Sequence, residues 1–184
     1  FKKEEKKRKT IYCHHSPKLS RIIQEINVKS NNVYAEHLFK YLSLQKNSIA
    51  HSAVSIGVVK YFWKQKGLNV ESLFLQDGSG LSPKNKISAQ FFVDLLSYMR
   101  LSKNFETFYN SLPIAGESGT IRQFLSGTSL SGSVKAKSGS FDMVQCYAGY
   151  LSDQYAFAVL TNNFYCPRRE IVREIERLLT QSIR

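Results

Sequence analysis

The sequence predicts one layered domain of the α+β (or α/β) class, with an antiparallel sheet flanked by helices. Three observations support this fold class. Apolar residues recur at helical spacing through the first hundred residues, they alternate in three short runs between 133 and 161, and helical spacing returns over 168–182. Helices followed by strands and then a helix are typical of such layered domains. At 184 residues the chain is long enough for one domain with a hydrophobic core.

Four helices are predicted in the first part of the chain, with a polar trio between the first two. Ser30-Asn31-Asn32 separates them, and short oxygen side chains at such a junction commonly cap the following helix. The helices are expected over 18–28, from about 34 to 42, over roughly 50–66 and from about 87 to 98. Shorter helical pieces are expected around 104–110 and 119–126.

Three β-like runs follow, over 133–140, 144–151 and 154–161. Phe141-Asp142 and Ser152-Asp153 stand where tight hairpin turns belong, so the runs predict an antiparallel meander. Three strands make a thin sheet, so further strands are expected outside this chain. The last helix is expected over 168–182.

The composition is that of a globular protein with a strongly basic balance. The hydrophobic content is 42% and the formal net charge is +12. Residues 1–11 carry +4 of this charge and are interpreted as a basic arm, with the domain over 12–184. A solvated arm is favoured over a polyanion-binding one, and no aromatic-interleaved motif predicts nucleic acid as a partner.

Cysteine and histidine give no sign of a metal or cofactor site. Cys13, Cys146 and Cys166 lack metal-ligand spacing, and an odd number argues against a complete disulfide framework, so they are interpreted as buried small hydrophobic residues. His14-His15 has no further spaced ligands. His37 falls on an apolar helical stripe and is expected in the core. No metal and no cofactor are predicted.

Two short motifs remain after the common catalytic patterns are excluded. There is no G-x-S-x-G elbow, no Walker loop and no H-E-x-x-H. Ser30-Asn31-Asn32 fits S-x-N, and Lys137-Ser138-Gly139-Ser140 fits K-[ST]-G. Together with S-x-x-K these are the motifs of class A β-lactamases and penicillin-binding proteins. Taken alone, Ser30-Asn31-Asn32 is more simply interpreted as a helix cap, and Lys137-Ser138-Gly139-Ser140 as a flexible loop.

Three segments in order make the pattern specific: KSNNVYAEHLFKYL, DGSGLSPKNKISAQFFVDLL and VKAKSGSFDMVQCYAGYL. From about Tyr12 to the last helix, the chain resembles the D-alanyl-D-alanine carboxypeptidases of the serine peptidase family that includes the class C low-molecular-mass penicillin-binding proteins. The resemblance implies a penicillin-recognising, serine transpeptidase/β-lactamase-like domain that is incomplete at its N-terminal side.

The resemblance also implies a nucleophile outside this chain. In such enzymes S-x-x-K precedes S-x-N, whereas the single match here, Ser43-Leu44-Gln45-Lys46, follows it and is interpreted as a coincidence. The chain begins at Phe1 and is expected to be a mature product or a fragment. Alone, it is expected to hydrolyse nothing and to resist acylation by penicillin.

The residue types indicate roles for the second motif. A peptide that ends in a carboxylate needs a fixed cation and hydroxyl donors, which Lys137, Ser138 and Ser140 can supply, while Gly139 allows close backbone approach. By resemblance, the Ser140 N–H would be an oxyanion-hole donor.

The first motif receives its roles from the resemblance alone. Ser30 would relay a proton to the leaving amine, and Asn32 would orient the substrate amide and the missing lysine. Ser30, Asn32 and Lys137 are thus the candidate catalytic residues. Asp77, Ser79 and Ser82 are interpreted as a structural loop beside the cleft.

The resulting hypothesis is part of a serine-type D-Ala-D-Ala carboxypeptidase or endopeptidase of peptidoglycan, located in the periplasm or elsewhere in the extracytoplasmic envelope. The expected partners are stem peptides ending in D-Ala-D-Ala, β-lactams only together with the missing N-terminal part, and another copy paired through an exposed sheet edge. A non-catalytic peptidoglycan-binding module and, less favoured, a basic nucleic-acid-binding domain are the alternatives.

Overall fold

The chain folds into six α-helices and one three-stranded sheet within the residues that the computed structural model describes, 9–45 and 48–182. Most of the predicted basic arm, residues 1–8, lies outside them. The elements in chain order are α1 (Leu19–Lys29), α2 (Asn32–Leu44), α3 (Ser52–Gln65), α4 (Ala89–Arg100), α5 (Phe105–Tyr109), β1 (Val134–Phe141), β2 (Val144–Leu151), β3 (Tyr155–Asn162) and α6 (Arg168–Gln181).

The predicted helices and strands are confirmed to within a few residues, with one exception. The helical piece expected over 119–126 is only a 3-10 turn, Gly119–Ile121, followed by further turns. No helix in the described part of the chain is both long enough and apolar enough to cross a membrane.

The sheet is the predicted antiparallel meander, in the order β1-β2-β3. Ser152 and Asp153 both have positive φ, as a tight hairpin turn requires. The first turn was predicted one residue too early. Phe141 still pairs with Val144, so the turn is Asp142-Met143, and Met143 has the positive φ.

Helices cover both faces of the sheet. On one face Val134 and Ala136 of β1 pack with Ile175 and Leu179 of α6 in the largest core cluster. On the other face Tyr150 is fully buried against Leu96 and Leu112, and its hydroxyl donates to the Leu96 carbonyl at 2.8 Å. The sheet is therefore held rigidly from both sides.

The helical region before the sheet buries much less. Helix α1 has no buried residue, and a separate small core forms around Leu68, Leu73 and Phe91. The expectation of a core histidine is wrong, because His37 is exposed and its Nδ1 lies 2.7 Å from the Val33 carbonyl oxygen. The side of α2 that periodicity marked as apolar is only partly covered.

The cysteines are not buried small hydrophobic residues. Cys13 is exposed, and Cys146 and Cys166 are only partly buried. All three are free thiols.

The outer edge of β1 is covered for half of its length. The Ala136 N–H donates to the Pro113 carbonyl at 3.2 Å, and the Ala115 N–H donates to the Val134 carbonyl at 2.9 Å. Backbone groups of every second residue point to the same edge of a strand. The N–H and C=O groups of Ser138 and Ser140 therefore face the open part of this edge.

Candidate active site

A cleft of about 1160 Å³ opens over the free half of β1, and all six predicted site residues line it: Ser30, Asn32, Lys137, Ser138, Gly139 and Ser140. On one side stands the helical wall, which we define as Ser30, Asn31, Asn32 and the loop 78–83. On the other stands the turn wall, which consists of Thr120, Gln123 and Phe124. The structure thus brings together two motifs separated by about a hundred residues in the chain.

The Ser30-Asn31-Asn32 motif forms a tight junction between two helices. Ser30 ends α1 in the left-handed conformation, with φ 54 and ψ 48, which a non-glycine residue adopts at a cost of about 1 kcal/mol. Asn31 caps α2 by accepting a hydrogen bond from the Tyr34 N–H at 3.0 Å, which confirms the predicted cap. This junction directs the Ser30 hydroxyl towards β1.

Lys137 is the central cation of the cleft. Its Nζ donates to Ser30 Oγ at 3.0 Å and to the Ser138 carbonyl at 2.8 Å. No carboxylate in the described residues lies within ion-pair distance of it. Desolvation by burial lowers the pKa of Lys137 below its usual value. The site thus holds a half-buried ammonium group with neutral partners only, which favours the approach of an anion.

The neighbouring residues of β1 present different faces. Side chains alternate along a strand, so Lys137 and Gly139 face the helical wall, while Ser138 and Ser140 face the turn wall. The Ser138 hydroxyl lies 2.9 Å from the Thr120 hydroxyl. A Cβ on Gly139 would meet no atom closer than Cys146 Cβ at 4.0 Å, so no protein contact requires glycine there.

The loop that begins at Asp77 is held mainly by that carboxylate. Asp77 accepts hydrogen bonds from the N–H groups of Gly80 at 2.6 Å and Ser82 at 2.8 Å, and from the side chains of Ser79 and Asn85. Partial burial opposes ionisation, but these hydrogen bonds outweigh it and lower the pKa of Asp77. This arrangement fits the structural role predicted for Asp77, Ser79 and Ser82.

The same loop is seated on α2. The Gly78 N–H donates to Glu36 Oε2 at 2.7 Å, and a Cβ on Gly78 would clash with the side chain of Phe39. Only glycine allows the backbone to approach the helix this closely.

Ser43 has no place in the cleft. It is fully buried, its hydroxyl donates to the Lys40 carbonyl at 2.7 Å, and it accepts from the His51 N–H at 2.9 Å. A hydroxyl held in this way is not available as a nucleophile, which agrees with its interpretation as a coincidental match. Lys46 lies outside the described residues.

Sequence reasoning missed the turn wall entirely. Thr120, Gln123 and Phe124 belong to no motif, and Phe124 stacks on Tyr147 with 3.9 Å between ring centroids. Arg168, which begins α6, also lines the cleft and donates to the Phe141 carbonyl at 2.6 Å. Gly119, at the start of the helix predicted over 119–126, was the one available signal, since glycine weakens a helix. Within the described ranges, no cluster of His, Cys, Asp and Glu could hold a metal ion.

A helix-covered antiparallel sheet, with a strand lysine bonded to the serine of an S-x-N helix junction, defines a penicillin-binding protein fold. The family model described as "D-Ala-D-Ala carboxypeptidase 3 (S13) family" matches residues 1–181. The chain therefore belongs to this family of serine-type peptidases.

Individual relatives agree with this assignment. The D-alanyl-D-alanine carboxypeptidase of Actinomadura sp. is 34% identical over 164 residues, which cover 84% of this chain and 30% of the relative. Penicillin-sensitive carboxypeptidase A of Dictyostelium discoideum is 27% identical and is covered over 34% of its length. Penicillin binding protein 4 (dacB) of Haemophilus influenzae, complexed with a β-lactam, superposes with a TM-score of 0.77 at 25% identity, covering 89% of this chain and 41% of that one. The chain thus spans about a third of the length of the curated relatives.

Proposed function

We propose that this chain forms the carboxylate-binding half of the active site of a serine-type D-Ala-D-Ala carboxypeptidase or endopeptidase that acts on peptidoglycan stem peptides. The observation that carries the proposal is the position of Lys137. Its ammonium group has only neutral partners and lies beside a free strand edge, in a cleft that also contains Ser30. A terminal carboxylate is the group that such a cation and the adjoining hydroxyls bind best.

The free edge of β1 suggests how the peptide would lie. An extended peptide would add to this edge as an antiparallel strand, with main-chain hydrogen bonds to Ser138 and Ser140. Its C-terminus would then point towards Lys137, and the Ser138 and Ser140 hydroxyls would donate to the carboxylate. The Ser140 N–H would stabilise the oxyanion, a contribution typically worth about 10²–10³ in rate.

The remaining roles follow the family chemistry. A serine nucleophile is acylated with loss of D-alanine, and water then hydrolyses the acyl-enzyme. Ser30, which already accepts a hydrogen bond from Lys137, would pass a proton to the leaving amine. Asn32 would orient the scissile amide and the lysine of S-x-x-K. Both residues of that motif would be supplied from outside the described cleft.

The setting of the reaction is proposed on the same basis. A peptidoglycan peptidase works in the periplasm or elsewhere in the extracytoplasmic envelope. β-Lactams would be recognised only when the serine nucleophile completes the cleft. Strand β3 pairs with only β2 in the described residues, so its other edge could bind a second copy. Elution as a monomer at every concentration in size-exclusion chromatography would contradict this self-association.

A binding titration of the 184-residue chain tests the carboxylate site. An NMR titration with an acetylated tripeptide ending in D-Ala-D-Ala should shift the amide signals of Ser138 and Ser140, whereas its C-terminal amide should bind far more weakly. Lys137→Ala should abolish the difference between acid and amide. Lys135→Ala is the matched control, because Lys135 lies on the same face of β1 but contacts Asn110 and Tyr109. Equal binding of acid and amide by the wild type would overturn the proposal.

Labelling with a fluorescent penicillin tests the second part of the proposal. The chain alone should form no stable adduct, because no serine of an S-x-x-K motif is among the described residues that line the cleft. An adduct mapped to Ser43 would be incompatible with the buried, hydrogen-bonded hydroxyl described above.

A non-catalytic peptidoglycan-binding module is the second candidate. It is favoured by the contact of Lys137 with Ser30 in a cleft whose described lining includes no S-x-x-K serine. The coding sequence around this segment separates the two candidates. An S-x-x-K segment preceding Ser30 in the complete protein supports the enzyme, and a native start near Phe1 supports the module.

A further inference from the structure

The turn wall places a hydroxyl group against the strand that carries the carboxylate-binding residues. Thr120 Oγ1 and Ser138 Oγ lie 2.9 Å apart, and both residues line the cleft. Ser138 occupies the threonine or serine position of the K-[ST]-G motif, while Thr120 belongs to no motif. The contact therefore joins a proposed substrate-binding hydroxyl to a residue with no assigned role.

The backbone around Thr120 has little freedom to move away. Gly119 has φ +60, and a Cβ there would lie 2.6 Å from the Val28 carbonyl oxygen and 2.7 Å from Pro113 Cβ. Ile121 is 1% exposed in the main core. The 3-10 turn is thus wedged between α1 and the segment before β1, and its fit fixes where the Thr120 hydroxyl points.

Ser138 needs such a contact more than a threonine would. Serine lacks the γ-methyl group that restricts χ1, so its hydroxyl can otherwise occupy several rotamers. If Thr120 donates to Ser138 Oγ, the Ser138 proton remains free to be donated into the cleft. Successive hydrogen bonds of this kind polarise and strengthen one another.

We propose that Thr120 is a positioning residue that holds the Ser138 hydroxyl in the rotamer that donates to the terminal carboxylate of the bound peptide. The contact with Thr120 restricts the χ1 rotamer of Ser138, as the γ-methyl group of a threonine at this position would. This inference rests on the proposed function for the identity of the ligand, but the rotamer of Ser138 can be measured without any ligand.

Four variants separate the hydroxyl contact from simple packing: Thr120→Val, Thr120→Ser, Ser138→Thr, and the double variant Thr120→Val with Ser138→Thr. Affinity for the acetylated D-Ala-D-Ala tripeptide should fall about threefold to tenfold in Thr120→Val, which loses one hydrogen bond. Thr120→Ser should bind as the wild type does. The double variant should recover most of the loss, because threonine at 138 restricts its own rotamer.

Scalar couplings of the Ser138 Hβ protons give the ligand-free measurement. They should report one χ1 rotamer of Ser138 in the wild type and in Thr120→Ser, and an average over several χ1 rotamers in Thr120→Val. Averaging already in the wild type would overturn the proposal. Thr120→Ser binding as weakly as Thr120→Val would also overturn it, since a hydroxyl at position 120 would then not be sufficient. A double variant that shows no recovery would do the same.

The two proposals fail in different ways. A wild-type chain that binds no D-Ala-D-Ala peptide contradicts the proposed function and, with it, the carboxylate role of Ser138. Tight binding by the wild type together with equally tight binding by Thr120→Val contradicts the role of Thr120 alone.

Discussion

The two walls of the cleft are fixed by different physical means. The turn wall is anchored by packing, since Ile121 and Leu125 are almost fully buried and Phe124 stacks on Tyr147. The helical wall follows α1, which buries no residue, and its loop is held by hydrogen bonds to Asp77. Substitutions that remove buried apolar side chains should therefore destabilise the turn wall. Substitutions that remove hydrogen bonds, and low pH, should instead destabilise the helical wall.

The largest expected effect is on the turn wall. Ile121→Ala removes a buried side chain from the main core and should lower the free energy of unfolding by about 2–5 kcal/mol. Denaturant unfolding measures this change. Arg122→Ala is the control, because Arg122 is an exposed neighbour, and its free energy of unfolding should lie within about 0.5 kcal/mol of the wild type. Comparable effects of the two substitutions would show that packing does not anchor this wall.

A smaller effect is expected where the helical wall meets α2. Gly78→Ala would drive a Cβ into Phe39, so the free energy of unfolding should fall by about 1–3 kcal/mol. Gly57→Ala is the control in α3, because nothing lies within 4 Å of its added Cβ. That substitution should instead stabilise the chain by up to about 1 kcal/mol, since alanine favours helix. If Gly78→Ala is also stabilising, the loop does not need its close packing against Phe39.

The third prediction concerns the contribution of the Asp77 carboxylate to stability at low pH. The folded-state pKa of Asp77 is lowered, so its stabilising contribution is complete above the unfolded value and is lost as pH falls through the folded pKa. Asp77→Asn should reduce stability by about 1 kcal/mol at neutral pH. The difference from the wild type should shrink below pH 3.8. A difference that is independent of pH would show that the charge of Asp77 does not hold the loop.

The smallest effect has the opposite sign and lies between the walls. Burial lowers the pKa of Lys137, so the charged form destabilises the fold at neutral pH. This penalty disappears as pH rises through the folded pKa towards 10.5. Lys137→Met should therefore be as stable as the wild type or up to about 1 kcal/mol more stable at pH 7, while peptide binding is lost. A large loss of stability would mean that Lys137 is mainly structural.

The sequence predicted the helical wall much better than the turn wall, for a physical reason. Ser30 and Lys137 belong to motifs whose residue types are set by chemistry, so their spacing was informative before the fold was known. Thr120 meets Ser138 in a contact that only the folded chain creates. The residue pattern also wrongly predicted that His37 lies in the core. Helical spacing identifies the apolar side of a helix, but it does not show whether another element covers that side.

The boundaries of elements could be predicted where turn chemistry was strong. Ser152-Asp153 was correctly placed, whereas the first hairpin turn was misplaced by one residue because Phe141 continues the ladder. The helix expected over 119–126 is replaced by a 3-10 turn and further turns, and its first residue, Gly119, has φ +60 and packs closely against Val28 and Pro113. Such a tertiary constraint leaves no periodic signal in the sequence.

The partial cover on the outer edge of β1 gives the cleft a fixed starting point. Residues 113–115 occupy the edge beside Val134 and Ala136, so an added antiparallel strand can begin pairing only at Ser138. From Ser138 to Phe141 the open edge spans three residue steps, or about 10 Å at about 3.3 Å per residue. For the proposed peptide ligand, this limit would set the pairing register from the C-terminal end of the peptide.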